Sequence, residues 1–149
     1  MSERIFRMQM SCDYQEPDNM VASLQVKVFE EDEWKAFDLN VGSPGFQVFV
    51  YAVLSCQQMH MRLGCVERGL HLGSADGEIE IDTTEDWLIT KLQVSFSAQL
   101  ISGEPEAEDE AAIIERMKNC PVSRNLTSAA HPETRLQFHA GNGTAGDPG

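Results

Sequence analysis

Two cysteines in this 149-residue chain have neighbours that could change the reactivity of a thiol. Cys56 lies in the apolar stretch VYAVLSCQQMHMRLGC, which has the composition of a buried helix. His60 follows four residues later on the same helix face, and a nearby imidazole can lower the pKa of a thiol. The alternative is that Cys56 is a packing residue and His60 a hydrogen-bonded structural one, since free cysteine is among the most buried residue types.

Cys120 has the more informative context, because it directly precedes Pro121 in MKNCPVSRNL. Proline is common at the first position of a helix, which places Cys120 at the N-cap. There the unpaired N–H groups and the positive end of the helix dipole stabilise a thiolate. A cap position that happens to be cysteine is the alternative. Cys12 and Cys65 have no such context, and we interpret both as packing residues.

The element that must carry Cys56 is a long helix, predicted over residues 46–68 and ended by Gly69. Apolar residues cover most of its circumference in the first half, which predicts a central helix buried on all sides. At about 1.5 Å per residue the helix would span roughly 35 Å. Sheets or a second copy of the chain must then cover it, so a homodimer is expected.

The remaining elements come in runs of strands and runs of helices. Apolar and polar residues alternate in six segments, which predicts strands at 4–14, 21–29, 34–41, 78–82, 88–100 and 134–140. A second amphipathic helix falls within residues 103–120, with acidic residues in its first turn, and a short third helix begins at Pro121. This order predicts an α+β fold with antiparallel sheets. We expect one domain over residues 1–140 and a flexible tail over 141–149.

Composition narrows the class of partner and the compartment. The formal net charge is −13, which disfavours both nucleic acid and anionic membrane surfaces as partners. Residues 1–10 lack the apolar segment of a secretory leader, and no apolar run is long enough to span a bilayer, so a cytoplasmic location is expected. The four cysteines match no zinc-binding pattern, and we expect no metal and no organic cofactor.

The combination of FQVFVYAVLSCQQMHMRLGCVERGL with the later IIERMKNCPVSRNL resembles the OsmC/Ohr family of organic hydroperoxide resistance and osmotically inducible proteins. The resemblance covers roughly residues 44–138, and CPVS is its most specific piece. It implies a thiol peroxidase of the oxidative stress response, in which Cys56 attacks an organic hydroperoxide. The resulting sulfenic acid condenses with Cys120 to a disulfide, which a dithiol of the lipoyl type reduces. The resemblance also implies an OsmC-like fold and an intertwined homodimer.

Two positions depart from the family pattern. The family places a glutamate about ten residues before its first cysteine, where this chain reads SPGFQ, with Phe46 or a neighbour in that place. The family also supplies an arginine from its N-terminal half, but no arginine occurs between Arg7 and Arg62. Lys35 and Arg124 are the candidate substitutes. The alternative function is a non-catalytic OsmC-fold protein that binds a small apolar ligand or a partner.

Overall fold

The computed structural model describes residues 3–126 and 133–141. Within these ranges the chain forms six strands and three helices: β1 (Arg4–Gln15), β2 (Met20–Glu30), β3 (Glu33–Ala36), α1 (Gly45–Glu67), β4 (His71–Thr83), β5 (Ile89–Ser102), α2 (Ala107–Lys118), α3 (Pro121–Arg124) and β6 (Glu133–His139). The strands form a single sheet in the order β3-β2-β1-β4-β5-β6. The fold is therefore α+β, as the sequence predicts. Of the expected tail, all but Gly141 lies outside the described residues.

One face of the sheet forms one side of the hydrophobic core. The inward side chains alternate along β1, β4 and β5, as the apolar pattern predicts, and they include Met8, Met10, Ile79, Ile81, Leu92, Val94 and Phe96. The outward residues between them are polar, and the Arg7 guanidinium lies 3.0 Å from a carboxylate oxygen of Glu78 on that outer face. A concave surface of about 630 Å³ lies on this outer face and includes neither Cys56 nor Cys120.

The expectation of purely antiparallel pairing is wrong for the last strand. Strands β1 to β5 pair antiparallel, but β6 pairs parallel with β5. The helices α2 and α3 lie between β5 and β6 in the chain. A connection of this length carries the chain back to the end of the sheet where β5 began, and β6 then runs in the same direction as β5.

Two strand boundaries also differ from the sequence expectation. The strand predicted over 34–41 ends at Ala36, because residues beyond it enter a turn in which the Asn40 side chain accepts a hydrogen bond from the Gly42 backbone N–H at 2.7 Å. The strand predicted over 78–82 begins already at His71. Its first half has small inward residues, including Gly77, so its apolar alternation is weak in the sequence.

Helix α1 agrees closely with its predicted bounds, and Gly69 follows it with the positive φ of 72° that glycine adopts readily. Its buried face packs against the sheet and α2 and consists of Val50, Val53, Leu54, Gln57, Gln58, Met61, Gly64 and Cys65. Three apolar residues of its first turn, Phe46, Val48 and Phe49, stay partly exposed in the single chain. Burial on all sides is therefore not a property of this chain alone.

None of the helices in the described ranges is long and apolar enough to cross a membrane.

Candidate functional site: two thiols joined by a short helix

Helices α1 and α3 bring the side chains of Cys56 and Cys120 together. The two thiols are neighbours, since Cys120 acts on the pKa of Cys56, although 64 residues separate them in the sequence. Both are free thiols. Cys56 lies in the middle of α1, at the border between its buried and partly exposed sides, and Cys120 is the N-cap of α3. The fold thus brings the two candidate cysteines into one site.

The first turn of α3 directs its backbone donors at both sulfurs. Pro121 has no N–H, so the first two backbone donors of the helix belong to Val122 and Ser123. The Val122 N–H acts on the sulfur of Cys56 and lowers its pKa, and the Ser123 N–H donates to the sulfur of Cys120 at 3.3 Å. Donors that would otherwise lack a partner at a helix start therefore hold the two thiols.

A buried chain of side-chain hydrogen bonds continues from Cys120. The thiol of Cys120 donates to the Ser123 hydroxyl oxygen at 3.1 Å, and the Gln57 amide nitrogen donates to the same oxygen at 2.9 Å. Thr134, on β6, donates its hydroxyl to the amide oxygen of Gln57 at 3.1 Å. These polar groups are all buried. The chain connects α3, α1 and β6 around Cys120.

The two thiols differ in their access to solvent. Cys120 has 0% of its surface exposed, whereas Cys56 is half-buried. The pKa of the Cys56 thiol is raised to about 11, chiefly by burial and next by the neighbouring Cys120, while the Val122 N–H opposes these effects. Cys56 is therefore the thiol that a dissolved reactant can reach, and it is mostly protonated at neutral pH.

The three supporting residues expected from the sequence occupy different places. His60 faces α2, where burial and the positive charge of Arg116 lower its pKa, and it is not among the groups that act on Cys56. Lys35 lies at the β2–β3 hairpin, with its ammonium 2.5 Å from a carboxylate oxygen of Glu31. Arg124 ends α3, four residues after Cys120. The supporting roles of all three remain predictions.

No charged side chain in the described ranges shifts the pKa of Cys56. Arg7 comes from the N-terminal half, as the family arginine does, but it pairs with Glu78 and Glu80 on the outer face of the sheet. The family arginine that the sequence lacks near Cys56 is therefore not replaced by Arg7 in the structure. Among the residues that the structure describes, no group of three or more potential ligands could hold a metal ion.

An aromatic cluster lies beside the N-terminal end of α1. It consists of Phe6, Phe46, Phe49 and Trp87, with ring centroids 4.5 Å apart for Phe6 and Phe46 and 5.3 Å apart for Phe46 and Trp87. Phe49 precedes Cys56 by two helical turns and thus lies on the same side of α1. An apolar surface therefore leads along the helix towards the exposed side of Cys56.

Gln57 and Ser123 were not among the site residues predicted from the sequence. Ser123 could have been inferred, because an N-cap side chain typically accepts a hydrogen bond from the backbone N–H three residues later. Gln57 carried only a general signal, namely a polar residue in an apolar helix, which requires a buried partner.

A pair of free thiols held by the start of a short helix, next to a long apolar helix and a six-stranded sheet, defines a dithiol site on an α+β scaffold. The family model described as "OsmC-like protein" matches residues 42–135, a range that contains both thiols. The chain therefore belongs to the OsmC-like protein family. A comparison with curated proteins finds no significant match.

Several solved structures share this fold at low sequence identity. An OsmC-like hydroperoxide resistance protein from Jannaschia sp. CCS1 is 17% identical, with a TM-score of 0.56 over 84% of this chain and 88% of that one. A hypothetical protein from Aquifex aeolicus VF5 is 7% identical, with a TM-score of 0.55 over 87% and 95% of the two chains. An OsmC-like protein from Mycoplasma pneumoniae is 9% identical, with a TM-score of 0.52 over 94% and 97%. At such identities the likeness establishes the fold.

Proposed function

We propose that this protein is a cysteine-based thiol peroxidase that reduces organic hydroperoxides. The observation that carries the proposal is the contact between Cys56, which solvent can reach, and Cys120, which is fully buried beside it. The thiolate of Cys56 attacks the distal oxygen of the hydroperoxide, the O–O bond breaks, and the alkoxide leaves as the alcohol by taking up the proton that the Cys56 thiol released. Cys56 becomes a sulfenic acid, which Cys120 converts to a disulfide with loss of water. A dithiol reductant, of the lipoyl type, returns both residues to thiols.

The surroundings of Cys56 agree with an organic substrate. The aromatic cluster offers an apolar surface on the same side of α1. The chain as a whole carries a net charge of −13, which favours neutral over anionic reactants by long-range repulsion. A reducing compartment such as the cytoplasm is part of the proposal, because the cycle requires both cysteines to be regenerated as thiols.

A homodimer is also part of the proposal. The first two turns of α1 keep apolar side chains partly exposed, and Leu39 and Met59 have 48% of their surfaces exposed. A second copy of the chain packed over this side of α1 would bury these groups. Sedimentation at micromolar concentration should then give twice the monomer mass.

The test of the activity is the loss of free thiols on addition of an organic hydroperoxide. The wild type should lose two thiols per chain, and mass spectrometry should place the new disulfide between Cys56 and Cys120. The Cys56→Ser variant should lose none. A Cys65→Ser variant is the matched control, since Cys65 lies on the same helix and is fully buried. Equal thiol loss in the wild type and in Cys56→Ser would exclude this reaction.

One observation favours a second candidate function. The pKa of Cys56 is raised to about 11, and no charged side chain among the described residues offsets this. A groove of about 490 Å³, lined by apolar residues such as Phe37 and Tyr51 and by polar ones such as Lys27 and Asp38, opens between β2, the segment after β3 and α1. Both features suit a non-catalytic protein that binds a small apolar ligand or a partner. Saturable binding of an apolar fluorophore, with no thiol loss on peroxide addition, would support this alternative.

A further inference from the structure

We propose that Ser123, held in position by Gln57, is the hydrogen-bond partner that stabilises the thiolate of Cys120 when the Cys56–Cys120 disulfide forms and when it is reduced. This inference rests on the proposed function in one respect: it takes Cys56 and Cys120 as a redox pair. It adds two residues that the dithiol chemistry alone does not require.

Ser123 contacts the sulfur of Cys120 with two groups. Its backbone N–H donates to that sulfur at 3.3 Å, and its hydroxyl oxygen lies 3.1 Å from it. A hydroxyl can both donate and accept a hydrogen bond. While Cys120 is a thiol, the hydroxyl oxygen accepts from the S–H group. Once Cys120 loses its proton, the same hydroxyl can rotate and donate to the sulfur, so that the thiolate receives two hydrogen bonds from one residue.

The orientation of the Gln57 amide fixes which role is left to the Ser123 hydroxyl. Thr134 donates its hydroxyl proton to the amide oxygen of Gln57, and the amide nitrogen of Gln57 donates to the Ser123 oxygen. One lone pair of the Ser123 oxygen is thus always occupied. The hydroxyl proton and the other lone pair remain for Cys120. Gln57 is therefore a positioning residue, since it acts on the sulfur only through Ser123.

Burial makes the thiolate of Cys120 dependent on the hydrogen bonds that Ser123 donates. Gln57 has 0% of its surface exposed and Ser123 has 3%. Water has little access to the sulfur of Cys120, so it cannot replace a donor that is removed. A thiolate formed in this place depends on the donors that the fold supplies, and hydrogen bonds to a charged group are stronger than those between neutral groups.

Both directions of the dithiol chemistry pass through the thiolate of Cys120. In disulfide formation, this thiolate attacks the sulfur of the Cys56 sulfenic acid, the S–S bond forms and the S–O bond breaks. The hydroxide that leaves combines with the proton lost by Cys120, so that water is the product. In reduction, a thiolate of the external dithiol attacks the accessible sulfur of Cys56, and Cys120 leaves as a thiolate. The second thiol of the reductant then closes its own disulfide and releases Cys56. A leaving thiolate that is better stabilised leaves faster.

The experiment measures the reduction of a disulfide that is formed without peroxide. Diamide, a two-electron oxidant of thiols, is used to join Cys56 and Cys120, and the rate constant of reduction by dithiothreitol is measured at a fixed pH. This rate does not depend on any peroxidase activity. We expect Ser123→Ala and Gln57→Leu to slow reduction at least roughly tenfold, the size expected for the loss of a hydrogen bond to a charged group. Ser123→Thr, which keeps a hydroxyl, should restore most of the rate.

Gln58→Leu is the matched control. Gln58 is the adjacent residue of α1, has 5% of its surface exposed and donates to the Tyr14 hydroxyl at 2.8 Å, away from the thiols. It should destabilise the fold to a similar extent and leave the reduction rate within about twofold of the wild type. Unchanged rates in Ser123→Ala and Gln57→Leu, or equal slowing in Gln58→Leu, would overturn the inference. Failure of diamide to join Cys56 and Cys120 would overturn it as well. A disulfide that forms with diamide but not with peroxide would contradict only the proposed peroxidase.

Discussion

Gly77 of β4 lies directly across from Phe96 of β5, and the ring of Phe96 occupies the space that a side chain at position 77 would need. A Cβ atom built on Gly77 would stand 2.3 Å from a ring carbon of Phe96. Such a contact is far inside van der Waals distance, so one of the two residues must shift if glycine is replaced. Both residues are buried.

We therefore expect Gly77→Ala to lower the free energy of unfolding by about 1–3 kcal/mol, the usual cost of an overpacked core. Urea unfolding followed by circular dichroism measures this change. Gly45→Ala is the control, since a Cβ on Gly45 at the start of α1 would meet nothing within 4 Å. A neutral effect of Gly77→Ala would mean that Phe96 can leave its position without cost.

Alkaline pH should lower the free energy of unfolding before any chemical damage to the chain occurs. Burial raises the pKa of Cys12 to about 11 and that of Cys65 to about 12, and it also raises the pKa of the Tyr14 hydroxyl. Above the ordinary cysteine pKa the unfolded chain loses protons that the folded chain keeps, so stability falls as the pH rises. Each thiol should contribute a loss of about 1.4 kcal/mol per pH unit between its unfolded and folded pKa.

The measurement is the free energy of unfolding in urea at pH 7, 9 and 10. The wild type should be nearly constant up to about pH 8 and weaken beyond about pH 9. Cys65→Ala removes one of the groups, so its stability should decline less steeply although it starts lower. Identical slopes for the two proteins would contradict the burial of the Cys65 thiol.

His60 should titrate below the ordinary histidine range. Burial is the main reason for its lowered pKa, and the positive charge of Arg116 is the second, while Glu67 opposes both. Nuclear magnetic resonance of the imidazole protons gives the midpoint directly. Arg116→Gln should move that midpoint upwards. Arg68→Gln should not, because Arg68 pairs with Asp109 and is not among the groups that act on His60.

Alkylation of Cys56 should depend steeply on pH. Its pKa is raised to about 11, so only a small fraction is thiolate at neutral pH. The rate of reaction with iodoacetamide should rise about tenfold per pH unit between pH 7 and 9, as the thiolate fraction does. Peptide mass spectrometry separates Cys56 from the buried Cys12, Cys65 and Cys120. A rate that is already constant at pH 6 would reveal an activating charge outside the described contacts.

The sequence is sufficient to predict the helices, because each has local signals. The apolar pattern and Gly69 define α1 almost to the residue, and Pro121 identifies Cys120 as an N-cap. The parallel pairing of β6 with β5 depends instead on how the chain returns after α2 and α3. No pattern within either strand contains that information, so alternation alone led to an antiparallel assignment.

The candidate site also has features that the sequence predicts and features that it does not. Each cysteine was noticed from its own neighbours, but only the resemblance to a family suggested that they meet. The partners of Gln57 are Ser123 and Thr134, which are 66 and 77 residues away in the chain. A single sequence shows that a buried glutamine needs partners and does not show which residues they are, because such contacts arise only when distant segments pack together.

Cys56 and Cys120 belong to one chain, and this determines the kinetic order of the proposed reaction between them. Closure of a disulfide between them is a first-order step, with an effective concentration set by the packing of α1 against α3. Its rate constant should therefore stay the same when the protein is diluted a hundredfold, even where a homodimer dissociates. A closure rate that falls on dilution would instead reveal that the second copy contributes to the step.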